Sequence, residues 1–401
     1  MTEVFIYDAL RTSLGKGNKQ GALFEVRPID LLGKCLQALK NRHDLATQLV
    51  DDLIIGCVVP IGGQADNLAK TALLHAGWSP TVPGMQINRF QASGLVAVGL
   101  AAAKIKSGWQ SLIIAGGIES MSRIRRSEHR GAISSDPDIM NKIGFIPAGV
   151  AADLIATIEK FDKVKLDDFA LKSIEKAAAA QTKLYFQKSI VPIYDQNKIA
   201  ILTEDETISR EVDITILQES QPIYPQVDRF GFGAIALQKY PLVEQIIPVH
   251  SRANRAAGAD SAALIFLGNK ATGEMLNLTA RAKIVGITTT STDLTITHRG
   301  GIEAAKKVLE KARLSAKDID LWYVNEAFAA PALLFQQTFN VADECFNPCG
   351  GNIAFGDSLG ANGSVLLGML LDELERQQLK KGLIAISAEG GIGTSMIIET
   401  V

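Results

Sequence analysis

Two stretches of this chain, roughly 270 residues apart, spell the same succession of elements, and such self-similarity narrows the architecture before any single residue is weighed. In the first, the apolar spacing of DLLGKCLQALKNR predicts a helix ending at Arg42, and DDLIIGCVV predicts a buried strand. A turn at Gln91-Ala92-Ser93-Gly94 then opens the helix LVAVGLAAAKIKSG, and the strand SLIIAGG ends at Gly116-Gly117. In the second, IEAAKKVLEKAR precedes the strand DIDLWYVNEAF, a turn at Gly360-Ala361-Asn362-Gly363 opens SVLLGMLLDELERQQ, and GLIAISAEGG ends at Gly390-Gly391. Two related α/β halves follow, with helices covering both faces of the sheets and helix N-termini gathered near strand ends, where ligands bind.

Residues 121–245 break this pattern. They are charged and irregular at SRIRRSEHRGAISSDPD and helical over 167–184, where the run Ala177–Ala180 reads as a good structural helix former, then mixed through Tyr240. The predicted organisation is therefore an N-terminal half (1–120 plus 246–272), an inserted loop domain (121–245) and a C-terminal half (273–401). The basic cluster Arg123, Arg125, Arg126, His129 and Arg130 reads as a solvated loop or subunit contact in preference to a phosphate site.

Composition removes several classes of function. Lys plus Arg number 41 against 43 Asp plus Glu, a net charge of −2, so nucleic acid is not an expected partner. The N-terminus MTEVFIYDALRTSLGKG lacks the pattern of a signal peptide, and no uninterrupted apolar run reaches membrane-spanning length. Four cysteines, Cys35, Cys57, Cys345 and Cys349, form no CxxC pair, which predicts no disulfide framework, no metal site and a cytoplasmic setting.

The chemistry should lie at the glycine-rich turns. Gln91 stands in MQINRFQASGLVAV, Asp357 in NPCGGNIAFGDSLGANG, and Ser387, Glu389 and Gly391 in AISAEGGIG. Turns of this kind let backbone N–H groups approach a ligand and hold a developing negative oxygen.

With INRFQASGL, AAAKIKSGW, AGGIESMSR, FIPAGVAADLIATIEKF, ALQKYP, VNEAFA, GGNIAFG, LDELERQ and the terminal GGIG, the chain resembles the thiolases from end to end, in particular bacterial 3-ketoacyl-CoA thiolases. The resemblance implies a layered α/β/α/β/α fold, a loop domain over the active site, and a homodimer or homotetramer. In the family, a Cys thiolate takes up the acyl group, a His activates it and a second Cys acts as acid and base. Carried over, the nucleophile falls on Gln91, the His of the Gly-His-Pro turn on Asp357, and the second Cys on Ser387. The Asn that helps form an oxyanion hole through water is kept as Asn325, Glu389 replaces a Gly of the same pocket, and a CoA-contacting Ser becomes Ala256. Arg255 and Ser358 also depart from the pattern, and changes spread over so many neighbours suggest natural divergence.

A glutamine amide has no ionisable proton and makes no exchangeable thioester, so thiolysis by the family mechanism stops at its first step. Ionised, Asp357 would repel a forming oxyanion; protonated by burial and by Glu389, it would donate a hydrogen bond. Ser387 is a poor base without a partner. Cys349 and Ser93 lie near the turns but not at the nucleophile position, and His250 and His298 read as structural histidines beside the loop motifs. Three functions are compatible with these residues. In order of preference they are non-covalent binding of an acyl-CoA thioester or partnership with an active thiolase, a changed reaction such as malonyl-thioester decarboxylation or enoyl-thioester acid/base chemistry, and an inert scaffold.

Overall fold

The computed structural model describes residues 2–124, 131–209, 214–223 and 231–401. Nine strands carry the fold: β1 (Phe5–Thr12), β2 (Asp52–Gly56), β3 (Gly84–Ile87), β4 (Leu112–Ser120), β5 (Ala259–Gly268), β6 (Ala282–Ser291), β7 (Leu321–Val324), β8 (Lys381–Ser387) and β9 (Ile392–Thr400). They hydrogen-bond in the order β7-β8-β9-β6-β1-β5-β4-β2-β3, with Gly15–Lys16 and Ile190–Val191 pairing alongside β5 and β1. Every residue of β1, β4 and β5 is buried. Strands enclosed on both faces read as continuous rather than alternating apolar runs, as in LIIAGGI of β4 and AALIFL of β5, whereas β1 buries Asp8 and Arg11 among its apolar residues.

The repeat is visible in the ladder. Reading outward from the joint, β1-β5-β4-β2 and β6-β9-β8-β7 have the same topology, and the two half-sheets join where Phe5 and Ile6 pair with Lys283 and Ala282. Helices α1 (Pro28–Arg42) and α2 (Leu68–His75) cover the outer face of the first half. Helix α3 (Ser93–Lys106) lies between the halves. On the inserted segment, α4 (Ala148–Ile158) and α5 (Lys163–Thr182) join α6 (Gly300–Ala312) and α7 (Ala329–Phe339) over the second half's outer face. Helix α8 (Asn362–Gln377) is the partner of α3 in the middle layer. Three separate apolar cores, one in each helical interlayer, make the five-layer α/β/α/β/α fold.

Close approach in the middle layer is made by glycine. A Cβ on Gly363 would lie 2.8 Å from Leu95, and one on Gly117 would lie 2.0 Å from the carbonyl oxygen of Gly360. The two predicted turns are therefore pressed together back to back, each at the N-terminus of a central helix.

Some boundaries differ from the sequence reading. Helix α5 starts at Lys163, four residues early, because Asp162 caps it by accepting from the backbone N–H of Lys165. The predicted strand DIDLWYVNEAF ends at Val324, where Asn325 turns its side chain to Ser387 at the end of β8 and Glu326 turns its own to Asn347. Of the basic cluster, Arg123 donates to the Phe24 carbonyl at 2.7 Å, while Arg125, Arg126, His129 and Arg130 lie outside the described residues. One described stretch, Pro137–Ile158, is long and apolar enough to cross a membrane by length and composition. It is broken by left-handed Gly144, and half of its apolar window is buried within the protein.

Candidate functional site

Gln91 sits on a strained elbow between β3 and α3. Phe90, just before it, holds φ at +49°, a left-handed conformation unusual for a bulky side chain. Three bonds fix the strain: the Asn88 side chain accepts from the Phe90 N–H at 2.9 Å, and the Ser93 hydroxyl accepts from the Arg89 N–H and donates to the Phe90 carbonyl. Ser93 is fully buried, so its hydroxyl is a staple for the elbow. The half-buried Gln91 side chain reaches the other half of the molecule, where its Oε1 accepts from the backbone N–H of Glu389 at 3.0 Å. An amide carbonyl thus occupies a backbone donor of the glycine turn Glu389–Gly391.

That turn needs its glycines. Gly390 and Gly391 have φ of +76° and +70°, and a Cβ on Gly391 would lie 2.3 Å from the carbonyl of Thr292. The Thr297 hydroxyl completes the turn, accepting from the Gly391 N–H and donating to the Ala388 carbonyl.

Asp357 is clamped by its backbone to the segment that carries Ala256. Its N–H donates to Ala257, its carbonyl accepts from Ala259, and its Oδ1 accepts from the Leu359 N–H at 2.8 Å. Ala256 itself is buried and donates to the Ala327 carbonyl, which joins this wall to the Asn325 loop. Burial pushes the Asp357 carboxyl up to about 6, the Leu359 N–H pulls it back, and the neighbouring Glu389 charge pushes it further up. A carboxyl raised in this way binds its proton more tightly in the folded than in the unfolded state. Its favourable contribution is complete below the unfolded value near 4 and is lost as pH rises through about 6. Asp357→Asn keeps the acceptor for Leu359, and is expected to stabilise the protein by roughly 1–3 kcal/mol at pH 7.5, with the gain fading to zero by pH 4. Urea denaturation across that range checks it; an equal effect at every pH would contradict this origin.

Ser387 and Asn325 form a tightly paired unit. The Asn325 Oδ1 accepts from the Ser387 N–H at 2.8 Å and its Nδ2 donates to the Ser387 carbonyl at 3.0 Å, leaving one amide hydrogen beyond these two bonds. The Ser387 hydroxyl donates to the His298 carbonyl at 2.6 Å and accepts from the Gly301 N–H at 2.9 Å. It holds the first turn of α6, and its proton is committed.

Gln91, Glu389, Asp357, Ser387, Asn325, Ala256 and Gly391 therefore converge through a chain of bonds and one electrostatic contact. The histidines do not join them as acids or bases. His250 is enclosed, with Nδ1 facing Asp153 at 2.7 Å and Nε2 accepting from the Ala330 N–H at 3.2 Å, so both ring nitrogens are engaged by the fold. His298 faces the Ala148 carbonyl through Nε2, and burial pushes it down to about 4, so it is neutral at physiological pH. Burial pushes the Cys349 thiol far up, and Cys349 lines a different cavity.

Sequence reasoning missed Glu119. At the end of β4 and fully buried, its Oε2 accepts from the N–H groups of Val58 (2.9 Å) and Gly360 (3.1 Å). Its Oε1 accepts from the Val59 N–H (3.2 Å), the Gln64 amide (2.6 Å) and the Cys57 thiol (3.7 Å). One carboxyl thus ties the turn after β2 to the turn that carries Asp357. The signal was present: an acid inside the apolar run SLIIAGGIES must find donors when buried. Among the described residues no cluster of three or more His, Cys, Asp or Glu side chains is arranged to hold a metal ion.

Comparison with known proteins agrees across the whole chain. The family described as "Thiolase, N-terminal domain" matches residues 4–228, and "Thiolase, C-terminal domain" matches residues 278–400. The 3-oxoadipyl-CoA/3-oxo-5,6-dehydrosuberyl-CoA thiolase of Escherichia coli is 32% identical over 420 residues, covering 100% of each chain. The 3-ketoacyl-CoA thiolase of Serratia proteamaculans is 29% identical over 410 residues, again covering 100% of each. Human mitochondrial 3-ketoacyl-CoA thiolase, solved in complex with CoA, superposes with a TM-score of 0.85 at 26% identity, covering 100% of this chain and 98% of that one.

Proposed function

The chain belongs to the thiolase family, and on that premise we propose that it binds an acyl-CoA thioester non-covalently, within fatty acyl-CoA metabolism, without ordinary thiolysis or Claisen condensation. The observation that carries this reading is the Gln91 amide at the elbow, its carbonyl already bonded to the Glu389 N–H. A carboxamide at that point has the shape and polarity of an acyl carbonyl but no sulfur to exchange, so it occupies the place of an intermediate without forming one. Asp357 and Ser387 support the same conclusion. The first is a carboxyl that carries a negative charge once pH exceeds about 6, where the family's base is a neutral ring, and the second has its hydroxyl bonded on both sides. The CoA seen in the human relative supports a CoA thioester as the ligand class.

In this reading the protein is cytoplasmic and acts as a homodimer or homotetramer, or as the partner subunit of an active thiolase. It is divided into residues 1–120 plus 246–272, 121–245 and 273–401. Calorimetric titration with CoA and acetoacetyl-CoA tests it. The expected result is saturable binding, weakened at least tenfold by Gln91→Trp; heats indistinguishable from buffer would remove it and leave a scaffold without a ligand.

A second reading rests on a separate observation. Asp357, raised to about 6 beside Glu389, is a pair of carboxyls able to hold one proton near neutral pH, the property required of a general acid/base in enoyl-thioester chemistry. The Gln91 carbonyl contact equally suits a site that decarboxylates a malonyl thioester. Incubation with enoyl-CoA and malonyl-CoA panels separates these from binding alone, since conversion abolished by Asp357→Asn would favour the catalytic version.

A further inference from the structure

Two polar atoms of the site are left over once the fold has made its own bonds. Gln91 uses Oε1 on the Glu389 N–H, and among the described residues nothing accepts from its Nε2. Asp357 uses Oδ1 on the Leu359 N–H, and among the described residues its Oδ2 meets neither a hydrogen-bond donor nor a cation. Neither atom is sealed from solvent. Charge on this wall is one-sided. The Glu389 carboxyl is the charged group that acts on Asp357. Arg255, in the segment bonded to Asp357, instead donates to the Ala256 carbonyl at 3.2 Å. A half-buried carboxyl beside a second acid, with no cation against it, is an unfavourable arrangement that an incoming positive charge relieves.

We propose that the acyl-CoA thioester bound at this site carries a protonated amine on its acyl chain, held by Asp357 while the Gln91 amide donates to the thioester carbonyl. This rests on the thioester reading and names the acyl class within it. The single open oxygen selects the kind of cation. A guanidinium docks most strongly across both oxygens of a carboxylate, whereas an ammonium is a point donor that one oxygen satisfies. A metal ion needs several ligands around it, and among the described residues no cluster of three or more His, Cys, Asp or Glu side chains is arranged to supply them. An anionic acyl end is repelled by both carboxyls. A neutral chain gains nothing from Asp357 and leaves its charge unpaired, so selection works by penalty as well as by attraction. Asp357 and Glu389 are among the residues that set this sequence apart from the family pattern, and the acidic character of the wall is therefore a property of this chain.

Calorimetric titration of the full chain at pH 7.5 and low salt, with three thioesters of similar length, tests the assignment. The acyl chain of β-alanyl-CoA ends in an ammonium, that of butyryl-CoA in a methyl group and that of succinyl-CoA in a carboxylate. β-Alanyl-CoA is expected to bind at least about tenfold more tightly than butyryl-CoA, and succinyl-CoA at least about tenfold more weakly. In Asp357→Asn the affinities for β-alanyl-CoA and butyryl-CoA should agree to within about twofold, because the charge that separates them is gone. That ratio is read within one protein, so a general change in the fold does not mimic it, and the comparison in the unaltered chain holds whether or not the variant folds. If butyryl-CoA saturates but β-alanyl-CoA binds no tighter, or if Asp357→Asn keeps the preference, the inference is overturned and the thioester reading stands. Heats indistinguishable from buffer with all three ligands overturn both.

Discussion

Pure protein mixed with acetoacetyl-CoA and CoA is expected to cleave the ketoacyl thioester no faster than the enzyme-free control, at least about a thousandfold below an ordinary turnover of roughly 10 per second. Three separate deficits lie behind this figure. Gln91 supplies no thiolate, and its carbonyl is engaged by the Glu389 N–H. Asp357, with its proton lost above about pH 6, opposes any oxyanion forming beside it. At 4 Å and an effective dielectric of 20 that repulsion is about 4 kcal/mol, itself roughly a thousandfold in rate. The Ser387 hydroxyl is held by two backbone bonds, donating to His298 and accepting from Gly301, with no side-chain base bonded to it to take its proton.

Groups that act as a unit are strongly non-additive, so Gln91→Cys alone is expected to stay inactive. Its thiol would lie near two carboxyls, which raise a thiol pKa rather than lower it. The triple substitution Q91C/D357H/S387C should exceed the single one by at least about a hundredfold, still short of a full enzyme because Glu389 remains. Loss of acetoacetyl-CoA absorbance measures the rate, and intact mass measures any adduct. Turnover on the timescale of seconds by the unaltered chain, or an acyl adduct on any residue, would end the non-covalent reading.

Much of the fold was legible because its signals are local. The apolar period of DLLGKCLQALKNR and of SVLLGMLLDELERQQ, and the glycine turns ahead of α3 and α8, needed no distant partner to be recognised. Strand β1 was not assigned, and its residues explain why. FIYDALRT carries Asp8 and Arg11, which look like surface charges until folding brings Arg42, His43 and Arg281 to Asp8 and Asp205 to Arg11. The site divides in the same way. Gln91, Asp357 and Ser387 stood out from motif position, but the bond from Gln91 to Glu389 spans the two halves and follows from topology alone.

Glu119→Ala is expected to destabilise the fold by roughly 3–5 kcal/mol near pH 5.5, a large share of the 5–15 kcal/mol that holds a typical domain together. Truncation leaves the N–H groups of Val58, Val59 and Gly360 and the amide of Gln64 without their common acceptor, each costing about 1–3 kcal/mol when water cannot replace it. The sum is limited by the carboxyl's own burial, which pushes it up to about 7 against the pull of those donors. Because its value is raised, the contribution of Glu119 is complete below the unfolded value near 4.5 and declines as pH rises through 7. The cost of Glu119→Ala should therefore be smaller at pH 8 than at pH 5.5. Glu119→Gln should cost less than Ala, since the amide oxygen still accepts from Val58 and Gly360, while its NH₂ is set against the Val59 N–H and the Gln64 amide. Urea unfolding at the two pH values, with an unchanged slope, supplies the comparison. A loss under 1 kcal/mol at both would show that water or a shifted side chain satisfies these donors. Gly360 lies three residues past Asp357, so any slackening there also reaches the Leu359 N–H that restrains the Asp357 carboxyl. Losing that donor removes a downward pull, and the Asp357 titration is expected to move upward in Glu119→Gln.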